Sequence, residues 1–128
     1  MAEASYPEEL LYHPEHDWAR VEGGSATFGI TWYAQDALGE VVFFEAPQVG
    51  ATVTKDQPYA EIESVKAVSD VVAPLSGEIV EVNPALSDSP ETVNEDPYGS
   101  GWLVKVKLGD TAETESLLSA TDYEALLS

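Results

Sequence analysis

Lys66 is the side chain in this sequence best placed to do chemistry. It follows Glu61-Ile62-Glu63-Ser64-Val65 and precedes Ala67, with Asp70 shortly after. A lysine at a tight turn presents a flexible four-carbon stem with nothing above it. That suits a modifying enzyme, and it suits a group that must swing once attached. The plain alternative is a solubilising lysine at the tip of an ordinary hairpin. Other constellations are thin. His13 and His16 have the spacing of a metal pair, but Pro14 between them opposes the helix that would align them. Asp88, Glu91, Glu95 and Asp96 lack the order and central glycine of a calcium loop. No glycine-rich phosphate loop is present, and no serine sits in a nucleophile motif beside a histidine. There is no cysteine, so thiolate ligands, thiol nucleophiles and disulfides are excluded. Neither intrinsic catalysis nor a metal site is expected.

The elements that position Lys66 are short strands punctuated by turns. Trp18-Ala19-Arg20-Val21 and Ala26-Thr27-Phe28 alternate about Gly23-Gly24, a hairpin signal. Thr31 reads as the N-cap of one or two helical turns over Trp32–Leu38, ended by Gly39, with Gln35 placed to bond back to the cap. Val41-Val42-Phe43-Phe44 reads as a buried strand. Val53, Tyr59–Ile62, Val68–Val72 and Glu78–Val82 read as further strands. Leu103–Leu108 alternates apolar residues with Lys105 and Lys107, as a half-exposed strand does. From Thr111 the spacing of Leu117, Leu118, Tyr123, Leu126 and Leu127 predicts helix, with Asp110 or Thr111 and Thr121 as caps. The Trp and Phe residues are expected to pack in the core rather than stack on bases.

Around Lys66 there is a weak internal symmetry. Pro58 and Pro74 lie eight residues to either side; Gly50-Ala51-Thr52-Val53 precedes one arm and Gly77-Glu78-Ile79-Val80 follows the other. Strands Tyr59–Ser64 and Ala67–Val72 would thus run to and from a turn holding Val65 and Lys66.

The 128 residues are expected to form a single domain, with a core over about 12–110 and a helical tail over 111–128. The charge is extreme: 24 acidic against 5 basic residues, a formal net charge of −19. Such a surface repels phosphate backbones and anionic lipids, and it speeds encounters with basic protein surfaces. No apolar run approaches the ~20 residues of a membrane span. Met1–Leu10 carries three glutamates and no basic residue, so neither a secretory signal nor an arginine-rich transit peptide is expected there.

Glu63-Ser64-Val65-Lys66-Ala67-Val68-Ser69-Asp70 resembles the lipoylation motif of glycine cleavage system H proteins. The segments His16-Asp17-Trp18, Gly29-Ile30-Thr31, Ala34–Val42, Ala73–Glu78, Asn94–Gly99 and Gly101-Trp102-Leu103 resemble the same family in the same order, over nearly the whole chain from Tyr12 to Leu127. Two departures stand out. Lys55-Asp56-Gln57-Pro58 lacks a glycine usual in that turn, and Phe44 is bulkier than the aliphatic residue usual there.

The resemblance implies a mainly β, lipoyl/biotinyl-type barrel-sandwich hybrid with an N-terminal strand extension, one short early helix and C-terminal helices. It implies lipoate in amide linkage to Lys66, and a non-catalytic shuttle that accepts the aminomethyl group of glycine. Its implied partners are a pyridoxal-phosphate glycine decarboxylase, a folate-dependent aminomethyltransferase, dihydrolipoyl dehydrogenase and a lipoate ligase or lipoyl transferase. A monomer is expected, cytoplasmic in a bacterium or in the mitochondrial matrix if the sequence is a mature eukaryotic form. A lipoyl donor to other enzymes is the alternative. A biotin carrier is disfavoured because Val65 and Ala67 stand where methionines usually flank the lysine. His16, Asp17 and Asp70 are candidates to shelter the loaded arm, against plainer readings of His16 as a strand-capping surface histidine and of both aspartates as surface or turn carboxylates. Glu63 is a candidate for recognition by the lipoylating enzyme, against ordinary strand-edge charge.

Overall fold

A computed structural model describes residues 5–127, so the first four residues of the acidic start and the last residue of the tail lie outside it. Among the described residues nine strands form two antiparallel sheets. Strands β1 (Leu11–His13), β2 (Asp17–Glu22), β3 (Ser25–Ile30), β5 (Thr52–Val53), β8 (Gly77–Val82) and β9 (Val104–Leu108) make a six-stranded sheet in the order β1-β2-β3-β9-β8-β5. Strands β4 (Val41–Glu45), β6 (Pro58–Ser64) and β7 (Val68–Val72) make the second sheet, in the order β4-β6-β7. The mainly β sandwich read from the sequence is the observed architecture.

Alternation dictates what each strand buries. Val104, Val106 and Leu108 of β9 point inward, while Lys105 and Lys107 point out. With Phe28, Ile62, Leu75 and Ile79, which are fully buried, they form the core between the sheets. Each such side chain contributes roughly 1.5–3 kcal/mol of transfer free energy. The internal symmetry has a physical counterpart. Its outer segments pair with one another, Thr52 opposite Glu78 and Val53 opposite Gly77. Its inner segments are β6 and β7.

A second, aromatic cluster lies on the other side of β2. Trp18 packs flat against Gly29, where a Cβ would come within 2.4 Å of the indole ring. The indole N–H donates to the Pro97 carbonyl at 3.0 Å. Tyr123 stacks on Tyr12 at 4.9 Å and brings the C-terminal helix α4 (Ala120–Leu127) onto β1.

Several expectations need correction. Val41–Phe44 forms a strand, but Val42 and Phe43 are exposed, because a register shift between Val41 and Phe43 turns both outward on a sheet with one solvent-facing side. Phe43 is therefore not a core residue, whereas bulky Phe44 is buried. Helix α1 (Trp32–Leu38) is capped by Thr31 as expected, its hydroxyl accepting from the Ala34 N–H. Gln35 lies one residue too far along to return to the cap, and its amide donates to the Trp32 carbonyl instead. The tail is not one helix. A 3-10 helix at Thr111–Ser116, capped by Asp110, gives way to extended backbone at Leu118, which exchanges hydrogen bonds with Tyr12 at 2.7 and 2.8 Å. Helix α4 then starts with Ser119, not Thr121, bonding to its first turn. Two single-turn helices, α2 (Ala85–Asp88) and α3 (Thr92–Glu95), were not expected; Leu86 and Val93 anchor them to the core.

The Lys55–Pro58 turn explains its missing glycine. Asp56 itself takes the left-handed conformation, φ +73°, which aspartate tolerates better than most side chains. Its carboxylate accepts from His13 Nε2 at 2.6 Å and from Lys55 at 3.2 Å. The His13 bond holds the Asp56 carboxyl below its ordinary range, with Lys55 adding to the effect.

Candidate functional site

Strands β6 and β7 run to and from a turn at Lys66 as the symmetry suggested, but the turn is Val65-Lys66-Ala67, one residue longer than expected, because Ala67 bonds back to Ser64. Ser64 builds the turn from inside. Its N–H donates to the Ala67 carbonyl at 2.8 Å, and its hydroxyl accepts from the N–H groups of Ala67 (3.1 Å) and Lys66 (3.3 Å). A further bond ties the turn to the body of the protein, from the Val65 N–H to the Glu40 carbonyl at 3.0 Å. That α1–β4 connection is held in turn by Asn94 of α3. Its amide donates to Gly39 O (2.8 Å) and Gln35 Oε1 (3.0 Å), and its oxygen accepts from the Val41 N–H (2.8 Å). The lysine backbone is thus fixed on both sides.

The Lys66 side chain, by contrast, is exposed, and no ion pair reaches its amine among the described residues. Its stem passes over Gly39, which sits at φ +83° and where an added Cβ would lie 3.2 Å from Lys66 Cε. Glycine serves there twice, for the left-handed turn and for the clearance.

Beside the turn lies a cleft of about 320 Å³. One wall is Ala67 of the turn and Val68–Asp70 of β7, the edge strand of its sheet; the other is the Tyr33, Ala34 and Leu38 face of α1. Ile30, Ile62 and Val71 reach it from the core, and Glu15, His16 and Asp17 supply its polar end. The cleft therefore brings together all three candidates for the shelter, from two distant parts of the chain, and its lining runs up to Ala67, next to Lys66.

Asp17 is not the surface carboxylate of the plainer reading. It is 2% exposed, and Oδ2 has no hydrogen-bond partner among the described residues. Burial pushes its carboxyl well above the ordinary range, and the charge of Glu15 adds to this. The Tyr59 hydroxyl is likewise buried without a partner, raised by burial and then by Asp17. Asp70 is exposed and abreast of Glu61 and Glu45 across the second sheet. The Glu61 carboxyl is raised, first by a hydrogen bond with Glu45. Glu63 is exposed on β6, opposite Phe43 and Val68.

His16 is half-buried in the left-handed region (φ +74°), and its ring packs tilted against Tyr33, with centroids 4.5 Å apart. Its carbonyl accepts from the Thr31 N–H, so it does link β2 to the start of α1. Its Nδ1 lies 2.7 Å from the hydroxyl of Tyr123, which lies 2.8 Å from Thr31 Oγ1. Tyr33, Tyr123 and Asn94 were not read as site residues. Only the two tyrosines' flanking motifs, the Thr31 cap and the apolar tail spacing, hinted at where they would go.

The model of the glycine cleavage H-protein family matches residues 10–128. The chain belongs to that family. An H protein of the glycine cleavage system from Escherichia coli O7:K1 is 58% identical over 125 residues, covering 97% of each chain. One from Geobacillus kaustophilus is 53% identical over 121 residues, covering 94% of this chain and 95% of the relative. The crystal structure of an H protein from Mycobacterium marinum superposes with a TM-score of 0.82 at 41% identity, covering 93% of this chain and 96% of that one. This H protein is accordingly a component of the glycine cleavage system and its lipoyl-carrying shuttle, on the barrel-sandwich fold. Among the described residues no helix is long and apolar enough to cross a membrane, and no group of acidic or histidine side chains is arranged to hold a metal ion.

Proposed function

We propose that Lys66 is the lipoyl attachment site and that the adjoining cleft shelters the arm when it carries the aminomethyl group derived from glycine. The observation that carries this reading is an unpaired, exposed amine on a doubly anchored turn, at the side of a cleft with a buried and unsatisfied carboxyl. The residues fit the group. Lys66 would hold it, Ile30, Ile62, Val71 and Leu38 would pack on its apolar length, and Asp17 and Asp70 would face its cationic amine. When bound, the dithiolane would supply a sulfur to take up the aminomethyl unit as its S–S bond is reduced, and the dithiol left once that unit has passed to folate would be reoxidised to the ring.

The chain itself supplies placement. Ser64 and Glu40 fix where the stem begins, so each docking event becomes an effectively intramolecular delivery. The cleft keeps water from the loaded group. Catalysis belongs to the partners, a glycine decarboxylase, a folate-dependent aminomethyltransferase and dihydrolipoyl dehydrogenase, with a ligase or transferase attaching the arm. An acidic exterior favours basic docking surfaces on these enzymes.

The test is the intact mass of protein incubated with lipoate and a lipoate ligase, beside Lys66→Arg. One added lipoyl group, absent from the folded variant, is expected. An unmodified wild type, or modification that persists in the variant, would refute the assignment.

A further inference from the structure

The C-terminal helix reaches His16, a wall residue of the cleft, through a single hydroxyl. Tyr123 is fully buried, and its oxygen bridges His16 Nδ1 at 2.7 Å and Thr31 Oγ1 at 2.8 Å. Thr31, also fully buried, already accepts from the Ala34 N–H at 3.2 Å. Three hydroxyl and ring protons must be distributed over these atoms, and two arrangements are open. In the first, Thr31 O–H donates to Tyr123, Tyr123 O–H donates to the bare Nδ1 of His16, and the imidazole proton sits on Nε2. Both buried hydroxyl protons then have an acceptor, and the half-buried ring is left with its Nε2–H free to donate. In the second, a protonated Nδ1 donates to Tyr123, and Tyr123 donates to Thr31. The Thr31 hydroxyl then keeps a buried proton with no acceptor among the described residues, a costly arrangement. A doubly protonated His16 forces the second arrangement as well.

We infer that Tyr123 is a positioning residue of the cleft, whose hydroxyl holds His16 as the neutral Nε2–H tautomer so that this wall offers a hydrogen-bond donor without a positive charge. The consequence for the arm rests on the shelter proposed above: a cationic amine entering beside Asp17 and Asp70 meets no competing cation at His16. Burial acts in the same direction, lowering the His16 pKa, with Glu15 opposing and His13 assisting. The other ionisable groups around the ring are Tyr33 of α1, Asp17 of β2 and Asp70 of β7. Beyond Glu15, the Nδ1 of His13 accepts from the Glu15 N–H at 3.0 Å and its Nε2 lies 2.6 Å from the Asp56 carboxylate.

Long-range proton–nitrogen spectra of the ¹⁵N-labelled full chain, with Lys66 bare, read both ring nitrogens of His16 directly. The expected wild-type result is a bare Nδ1 and a protonated Nε2. In Tyr123→Phe, the His16 titration midpoint should rise by roughly half to one pH unit, since one hydrogen bond to the neutral form is lost. A proton on Nδ1 in the wild type overturns the inference whether or not the variant folds, as does an unchanged midpoint in a folded variant. Aminomethyl-loaded lifetimes in Asp17→Asn and Asp70→Asn test the shelter separately. Unchanged lifetimes together with the expected tautomer would remove the shelter and leave the assignment of His16 standing.

Discussion

Replacing Ser64 with alanine tests whether the lysine turn is as firm as its bonding indicates. The hydroxyl accepts from two backbone donors, at 3.1 and 3.3 Å. Both bonds are longer than the usual N–H···O optimum, so each belongs in the lower half of the ~0.5–1.5 kcal/mol range for a net hydrogen bond. Because Ser64 is buried, water replaces it poorly as an acceptor. The expected loss is about 1–2 kcal/mol, or roughly 3–8 °C in Tm for a domain of this size. Thermal unfolding followed by circular dichroism measures this, with Glu63→Gln as a control on an exposed neighbour whose Tm should hold. Wild type and Ser64→Ala then enter a lipoylation time course. If the turn must be held for the ligase, Ser64→Ala is modified more slowly below its Tm. A Tm within 1 °C of wild type, on the order of a negligible stability change, would show that Ser64 does not hold the turn.

Three further outcomes follow from other parts of the structure. Gly29→Ala places a Cβ 2.4 Å from two ring carbons of buried Trp18, and the expected cost is about 3 kcal/mol or more, read as a lowered Tm and an altered near-ultraviolet tryptophan signal; a native Tm would mean the ring can yield. Asp17→Asn changes how stability depends on pH. The folded carboxyl titrates well above the unfolded one, so below about pH 4 both are neutral, and as pH rises the unfolded chain ionises first and wild-type stability falls, by at most ~1.4 kcal/mol per pH unit. The asparagine variant lacks this slope, so denaturant midpoints of the two proteins should diverge from pH 4 upward, and parallel curves would show that Asp17 ionises normally. Glu63→Ala should slow lipoylation without changing Tm, and unchanged modification kinetics would remove its role in recognition.

What the sequence revealed and what it concealed divide along a physical line. Lys66 and its turn were legible because they are local. Ser64, Val65 and Ala67 sit beside the lysine, and the strands on either side announce themselves by alternation and by Pro58 and Pro74. The Gly23-Gly24 hairpin, the Thr31 cap and β9 were readable for the same reason. The tail and β4 misled because tertiary pairing overrode local pattern. Leu118 leaves a helical spacing to pair with Tyr12, and the shift at Val41/Phe43 exposes two residues of an apolar run. The single-turn helices α2 and α3 are too short to leave a period that can be recognised.

The cleft was hidden for a deeper reason: its polar end, Glu15 to Asp17, takes its burial and its bonding partners from distant parts of the chain. Asp17 reads as a turn carboxylate next to His16, and only the packing of β2 against Ile30 and the second sheet takes it out of water. His16 meets Tyr123 over a separation of 107 residues, and Thr31 meets it over 92. No window along the sequence contains both partners, yet the hydroxyl between them decides which nitrogen carries the proton. The lysine's position is thus set first by Ser64 and Ala67 within two residues of it, with Glu40 as a second tie, while the electrostatics of the space beside it are set by a helix at the far end of the chain. Substitutions in the tail should accordingly alter the chemistry of the cleft while leaving the lysine turn, and its access to a modifying enzyme, unchanged.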